Sequence, residues 1–427
     1  MSQGAIEIMA PAGSFECLRA AIQGGAGSVY FGIGRLNMRS HSAANFTAED
    51  LPEVVRICRE AGIKSYLTLN ITLYQDDLED MRHAIDSAKA AGVDAVIASD
   101  MAVIMYCRQV GMEVHISTQL SISNAEALRF YAAYADVVVL ARELNLRQVA
   151  EIHRIIEEEH ITGPSGELVR IEMFVHGALC MAVSGKCYLS LHSYGQSANR
   201  GACYQICRRS YEVTDKETGY SLEIDNKYIM SPKDLCTIEF VDKLIAAGVR
   251  VFKIEGRARS ADYVQRCVSC YSEAAKAVAD GTYTPELAAS LKERLAEVFN
   301  RGFWDGYYQG AKLGEWSNVY GSQATRKKVY CGKVSNWFDR IGVAEITIES
   351  AELRQGDEII AIGATTGAVT FPADEIRVDL KPADKAVKGE RCSIAVHPTD
   401  TGIPFRKLHR GDKVYVWRTV GQDNDNS

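Results

Sequence analysis

Between about residues 6 and 256, short β-branched apolar runs alternate with longer stretches in which apolar residues recur every three or four positions. The short runs read as strands covered on both faces, and the longer periodicity reads as the helices that cover them. Eight strands are predicted, at residues 6–10, 28–32, 64–70, 95–100, 113–119, 137–141, 170–176 and 250–255, with helices over stretches such as 48–61, 77–91 and 146–159. Several helices end in an Ala-Gly step, whose glycine tolerates the left-handed backbone that closes a last turn. Eight βα units predict an α/β fold of the TIM-type (β/α)8 barrel, ahead of an open doubly wound sheet.

The rhythm breaks between the seventh and eighth strands. Residues 177–235 hold no single crossover helix and are rich in Cys, Gly, Ser and Tyr. They read as an insertion at the C-terminal face of the barrel, where this fold carries active sites. After helical segments over about 261–300, residues 301–328 are rich in Gly, Trp and Tyr and read as a connection lying on the barrel. The expected division is a barrel domain at 1–310, a linker at 311–328, a small antiparallel β-barrel domain at 329–418 and a frayed polar tail at 419–427.

Composition narrows the function classes. With 427 residues, 47% hydrophobic and 24% charged, the chain suits one large barrel plus a small module and does not suit a disordered or fibrous protein. No apolar run approaches the roughly 20 residues that span a bilayer, and the first nine residues lack the basic and apolar regions of a secretion signal. A cytoplasmic protein without a membrane partner is therefore expected. A net charge of −7 means that a nucleic-acid partner must be held by a local basic patch. The sequence carries no signal for an oligomeric state.

Twelve cysteines without an export signal point to buried thiols, metal ligands or reactive thiols rather than disulfides. Cys17, Cys58, Cys107, Cys267, Cys270, Cys331 and Cys392 lie in helical stretches or the second domain and read as small hydrophobes. Cys180, Cys187, Cys203 and Cys207 share the Gly-rich insertion, with Cys236 beside it, and four of these five can surround a metal centre. The absence of paired Cys-x2-Cys steps favours an iron–sulfur cluster over zinc. The plain alternative is five unrelated loop or buried thiols.

Polar residues also cluster where a barrel built only for stability would place Val, Ile and Leu. Alternation puts Lys253, Glu255 and Arg257 on the inner face of strand eight and Glu172 and His176 on that of strand seven. His115, Ser117 and Gln119 lie on strand five, Asn70 and Asp100 end strands three and four, and Arg142 and Glu143 follow strand six. Together they read as a binding pocket, although a lone His such as His115 is more often a satisfied core group, and Lys253, Glu255 and Arg257 could equally form a structural ion-pair network. His153, His160, Gly32 and Gly34 fail the spacing of metal or dinucleotide motifs and read as surface features.

The strings Glu172-Met-Phe-Val-His-Gly-Ala-Leu-Cys180, Gly185-Lys-Cys187-Tyr-Leu-Ser190, Asn199-Arg-Gly-Ala-Cys203, Ser231-Pro-Lys-Asp-Leu-Cys236 and Lys253-Ile-Glu-Gly-Arg257, with Ala10-Pro-Ala-Gly13 near the start, resemble the signatures of the collagenase-like U-thirty-two peptidase family. The resemblance runs from residue 6 to about 310, and the second domain is similar to the family's C-terminal barrel. It implies either a peptidase or one of the family's oxygen-independent hydroxylases, which act on tRNA wobble uridine, on ribosomal RNA or on a ubiquinone precursor. In the long form, with a C-terminal barrel, it implies an enzyme that forms 5-hydroxyuridine at the tRNA wobble position with a four-iron four-sulfur cluster and depends on prephenate. Carried onto this chain, it implies Cys180, Cys187, Cys203 and Cys207 as ligands, with Cys236 as an alternative. Glu172, His176, Lys253, Glu255 and Arg257 become candidate catalytic residues, and Asn70, Gln119, Arg142, Arg208 and Arg257 candidate substrate-binding residues.

Three readings follow: a tRNA uridine hydroxylase, a peptidase using Cys180 with His176 or a bound metal, and a non-enzymatic RNA-binding protein with structural zinc. The first expects an anticodon loop and a redox partner. For such an acidic protein the phosphate contacts would come from Arg208-Arg209, from Arg257 and Arg259, or from Arg326-Lys327-Lys328, unless the last is a solvated linker run.

Overall fold

In a computed structural model, the alternating runs become a closed parallel barrel. The structure describes residues 5–41, 43–209, 211, 213–219, 221–222, 230–311, 313–317, 321–399 and 407–420. Strands β1 (Glu7–Pro11), β2 (Ser28–Phe31), β3 (Lys64–Leu69), β4 (Ala95–Ala98), β5 (Glu113–Ile116), β6 (Val137–Val139) and β7 (Arg170–Gly177) pair in sequence order. The eighth barrel strand, β8 (Val249–Ile254), is parallel to both β7 and β1 and shuts the ring. Helices α1 (Phe15–Gln23), α2 (Leu51–Glu60), α3 (Leu78–Ala91), α4 (Met101–Val110), α5 (Ala125–Ala132) and α6 (Leu146–Glu158) return the chain between strands.

Local chemistry sets these boundaries. Gly62, one residue past the Ala61 cap of α2, and Gly92, which caps α3 after Ala91, have φ of 69° and 80°. Asn145 and Gln148 cap the start of α6 reciprocally, each side chain accepting from the other's backbone N–H. Outward strand residues such as Val29, Leu67, Val96 and Val138 pack against Val54, Ile57, Ile85 and Val103 of the helices. Inside the ring, Met9, Tyr30, Tyr66, Ile97, Val137 and Val251 fill the lower barrel, so only its upper end is available for a polar site.

The insertion leaves β7 and returns beside it. The short strand Asp234–Cys236 runs antiparallel to β7, with Leu235 opposite Gly177, and Phe303–Trp304 adds a parallel strand outside it. Within the insertion lies the six-residue α7 (Leu189–Tyr194), and the crossover to β8 is made by α8 (Val241–Ala246). Two longer helices, α9 (Ala261–Ala279) and α10 (Pro285–Ala296), complete the outer layer.

The C-terminal domain is an antiparallel sheet in which Lys413–Thr419 and Val343–Ile348 flank a long strand, Arg326–Phe338. It encloses its own core of Cys331, Val334, Ile346, Phe371 and Val414, while Ile360, Ala368 and Trp417 join the core of the barrel. The strand that opens this domain begins inside the segment read as a linker, because Arg326 and Lys328 find carboxylates rather than water. Arg326 pairs with Glu358 and Lys328 with Asp262 at the start of α9. Arg326 and Lys328 are therefore committed to carboxylates, while Lys327 between them is exposed. Residues 421–427, expected to fray, lie outside the described residues. Among the described residues, no helix is long and apolar enough to cross a membrane.

Candidate functional site

The end of β8 organises the barrel mouth. Lys253 and Glu172 form a fully buried ion pair at 2.6 Å, and the Lys253 ammonium lies 4.8 Å from the centre of the Tyr30 ring. The second Glu172 oxygen, Oε2, is buried without a hydrogen-bond partner among the described residues. Glu255 accepts from Arg39 Nε at 3.1 Å and Nη2 at 2.7 Å. Burial alone would raise the Glu255 pKa, but the charge and hydrogen bonds of Arg39, with Arg142 and Arg257 behind it, hold it at about 2. Arg257 is buried, donates to Asn37 Oδ1 at 3.0 Å and Thr68 Oγ1 at 2.7 Å, and burial pulls its pKa down to about 10. Gly32, read as a surface feature, lies instead against this group. A Cβ there would sit 2.6 Å from the Asn37 side chain and 2.7 Å from Arg257 Nη1, so only glycine leaves room for the guanidinium.

His176 departs from the expected face. Phe174 stands opposite Lys253, but His176 stands opposite Ile254, so Val175 is an extra residue in β7. An extra residue inverts the alternation beyond it. His176 therefore turns out of the barrel into the helix layer, with its ring 5.6 Å from Tyr271, 5.6 Å from Phe303 and 6.0 Å from Tyr263. Burial, with Arg259 nearby, pushes its pKa down to about 3, so it is neutral. Cys236 shares that outer layer, buried with its thiol 3.9 Å from Tyr271 Oη and raised by burial to about 12. Neither residue lines the mouth.

The remaining polar positions divide. Asn70 accepts from Met38 N and donates to Ser117 Oγ, both at 3.3 Å, and Ser117 bonds to Gln119, so these three form one rim. Asp100 caps α4 through Ala102 N and accepts from Leu73 N, which makes it structural. His115 lies below the mouth, bonded to Glu113 at 3.1 Å and packed on Tyr66. Arg208 donates to Leu179 O, Pro232 O and Ser231 Oγ, clamping the two ends of the insertion together, and it also lines the cysteine cavity. Arg142 lies 3.7 Å over the Phe174 ring and donates to Ala178 O at 3.2 Å.

Above the mouth, Cys180, Cys187, Cys203 and Cys207 line one cavity of about 290 Å³ together with Arg39, Glu255, Arg259 and Arg301. Cys207 is raised by burial, partly offset by Arg208. The Asn199-Arg-Gly-Ala-Cys203 string anchors this wall. Arg200 pairs with Asp77 at 2.6 Å and donates to Thr72 O, and Asn199 O accepts from Thr72 N. Gly201, at φ 89°, leaves no room for a Cβ beside Ser40. A tetrahedral zinc site needs thiolates only roughly 3.8 Å apart. Among the described residues, no three His, Cys, Asp or Glu converge on one such point. The other eight cysteines, Cys236 among them, are buried and free.

Sequence reasoning missed Asn37, Arg39 and Thr68. Thr68 shares the inward alternation of Tyr66 and Asn70 on β3 and could have been found that way. Asn37 and Arg39 lie in the loop after β2, where no periodicity marks them.

Residues 13–318 match peptidase family U32. A protein of Porphyromonas gingivalis named collagenase is 59% identical over 97% of this chain and 99% of its own length. The tRNA hydroxylation protein P1 of Bacillus subtilis is 33% identical over 84% of this chain and 83% of its own. The 23S rRNA 5-hydroxycytidine C2501 synthase of Escherichia coli is 35% identical over 74% of this chain but only 47% of its own length. With a family match over most of the barrel and relatives of this extent, the chain belongs to peptidase family U32.

Proposed function

We propose that this protein is an iron–sulfur-dependent RNA-modifying enzyme that hydroxylates a tRNA uridine, at the wobble position of the anticodon loop. The observation that carries the reading is the shared cavity, in which four thiols face the Arg39–Glu255 pair at the mouth of a barrel. Four thiolates spread around a cavity suit a four-iron four-sulfur cluster, with one thiolate per iron, better than a single zinc ion. When bound there, the cluster would supply one-electron transfer, for which a redox partner is required.

The chain's own residues would bind and position the reactants. Arg39 keeps Glu255 ionised, and Arg257 has no directly paired carboxylate among the described residues, which leaves a cation suited to a carboxylate of prephenate. A uridine must leave its stack to reach the mouth, and an anticodon loop presents unstacked bases at low cost. Relatives whose names specify tRNA hydroxylation and rRNA hydroxycytidine synthesis support the substrate class.

The relative named collagenase makes peptidase activity the second reading. A Cys180 nucleophile would need an adjacent base, and His176 is turned into the helix layer. Nucleoside mass spectrometry of tRNA from a deletion strain, alongside gelatin digestion by the anaerobically purified protein, decides between them. Loss of 5-hydroxyuridine with no digestion is expected. Unchanged nucleosides, or stoichiometric zinc without labile sulfide, would refute the hydroxylase.

A further inference from the structure

Beside the cysteine cavity lies a second, smaller one of about 50 Å³, and Leu179, Cys180, Met181 and Ala182 border both. Its walls include Trp304, Tyr307, Tyr308 and Trp316, with Arg142 at one side. Trp304 and Tyr307 meet edge to face at 5.3 Å. Trp304 is 6% exposed, and its indole Nε1–H is buried without an acceptor among the described residues. Arg142 Nε is likewise buried without one, although its Nη1 is satisfied by Ala178 O.

Two orphaned donors on residues that line one small aromatic compartment are costly unless something fills it, because a buried N–H without an acceptor forfeits its hydration. What satisfies both is a planar group with acceptor oxygens on its edge and faces that tolerate aromatic walls. At about 50 Å³ the compartment admits the edge of a ring and not the whole of it. We infer that this slot receives the carbonyl edge of a flipped pyrimidine, with Trp304 Nε1 and Arg142 Nε donating to its exocyclic oxygens and Cys180 forming the wall between base and cysteine cavity. This rests on the RNA-modifying reading and adds to it the place where the base is read. Uracil fits the donor set because both its exocyclic groups are acceptors.

The test uses the full-length protein and two anticodon stem–loop RNAs, one with uridine at the wobble position and one abasic there. Trp304→Phe keeps the aromatic wall and deletes the donor, and Arg142→Lys is a second variant whose fold is checked by thermal melting. The wild type should bind the uridine RNA more tightly than the abasic one. Each variant should cut that preference by about fivefold to tenfold while leaving affinity for the abasic RNA unchanged, as loss of one buried hydrogen bond implies. Two results overturn the slot while leaving the hydroxylase reading intact: tRNA hydroxylation by a wild-type protein that does not distinguish the two RNAs, or variants that keep the preference but lose affinity for prephenate, which would assign the donors to an acid. If tRNA from the deletion strain keeps its 5-hydroxyuridine, the hydroxylase reading falls and the slot falls with it.

Discussion

The outward turn of His176 gives the fold a pH-dependent stability. His176 is neutral in the folded protein, with a pKa near 3, because burial among Tyr263, Tyr271, Phe303 and Cys236 disfavours the imidazolium and Arg259 repels it. In the unfolded chain it titrates near the ordinary value of about 6.5. The folded pKa is the lower one, so the stabilisation is complete above about pH 6.5 and is lost as pH falls toward 3, where the unfolded state binds the extra proton. The slope is about 1.4 kcal/mol per pH unit, so this group alone should lower stability by about 2 kcal/mol between pH 6.5 and pH 5. His176→Phe keeps a ring in the same layer and removes the titration. Urea unfolding of both proteins at pH 8 and pH 5 isolates the effect, since every other group titrates alike in the two. The wild type should lose about 2 kcal/mol more than the variant over that interval. Parallel stability curves would show that the ring protonates freely in the fold and that the outward placement of His176 is wrong.

Other expectations follow from the same geometry. Cys236→Ser should leave iron content and absorbance unchanged, whereas Cys180→Ser or Cys203→Ser should lower both; equal losses would return Cys236 to the ligand set. Arg257→Ala should abolish RNA modification and also lower stability, by about 1–3 kcal/mol in thermal melting, because Asn37 and Thr68 lose a buried partner. Wild-type melting with lost activity would instead confine Arg257 to ligand binding. Replacing Arg326, Lys327 and Lys328 with Ala should reduce stability by about 1–2 kcal/mol through the lost pairs to Glu358 and Asp262. A steep drop in the salt dependence of tRNA binding, without a stability change, would restore these residues to the RNA path.

Periodicity made the barrel legible, because each strand and helix is short and its apolar spacing is local. The thiols of the insertion were legible as a set from spacing and residue type. What periodicity cannot express is a single inserted residue. Val175 is apolar and β-branched like its neighbours, and only pairing with β8 reveals that it reverses His176. Charge runs misled for a related reason, since Arg326 and Lys328 look solvated until the carboxylates from α9 and from a strand two places away in the sheet are brought to them. Asn37 and Arg39 were invisible because a loop imposes no repeat on its residues, and their partners lie more than two hundred positions away.

The pairing of Leu235 with Gly177 makes the cysteine-bearing segment a cassette whose two ends leave the barrel side by side. A loop closed at its own base places little demand on the scaffold below it, because the ends are already held at the separation the ring requires. Replacement of this segment by another of different length would leave the order of the eight strands intact. The same barrel could then accept a new cofactor-binding wall while its inner ions, Lys253 with Glu172 and Arg39 with Glu255, continue to serve whatever enters the mouth.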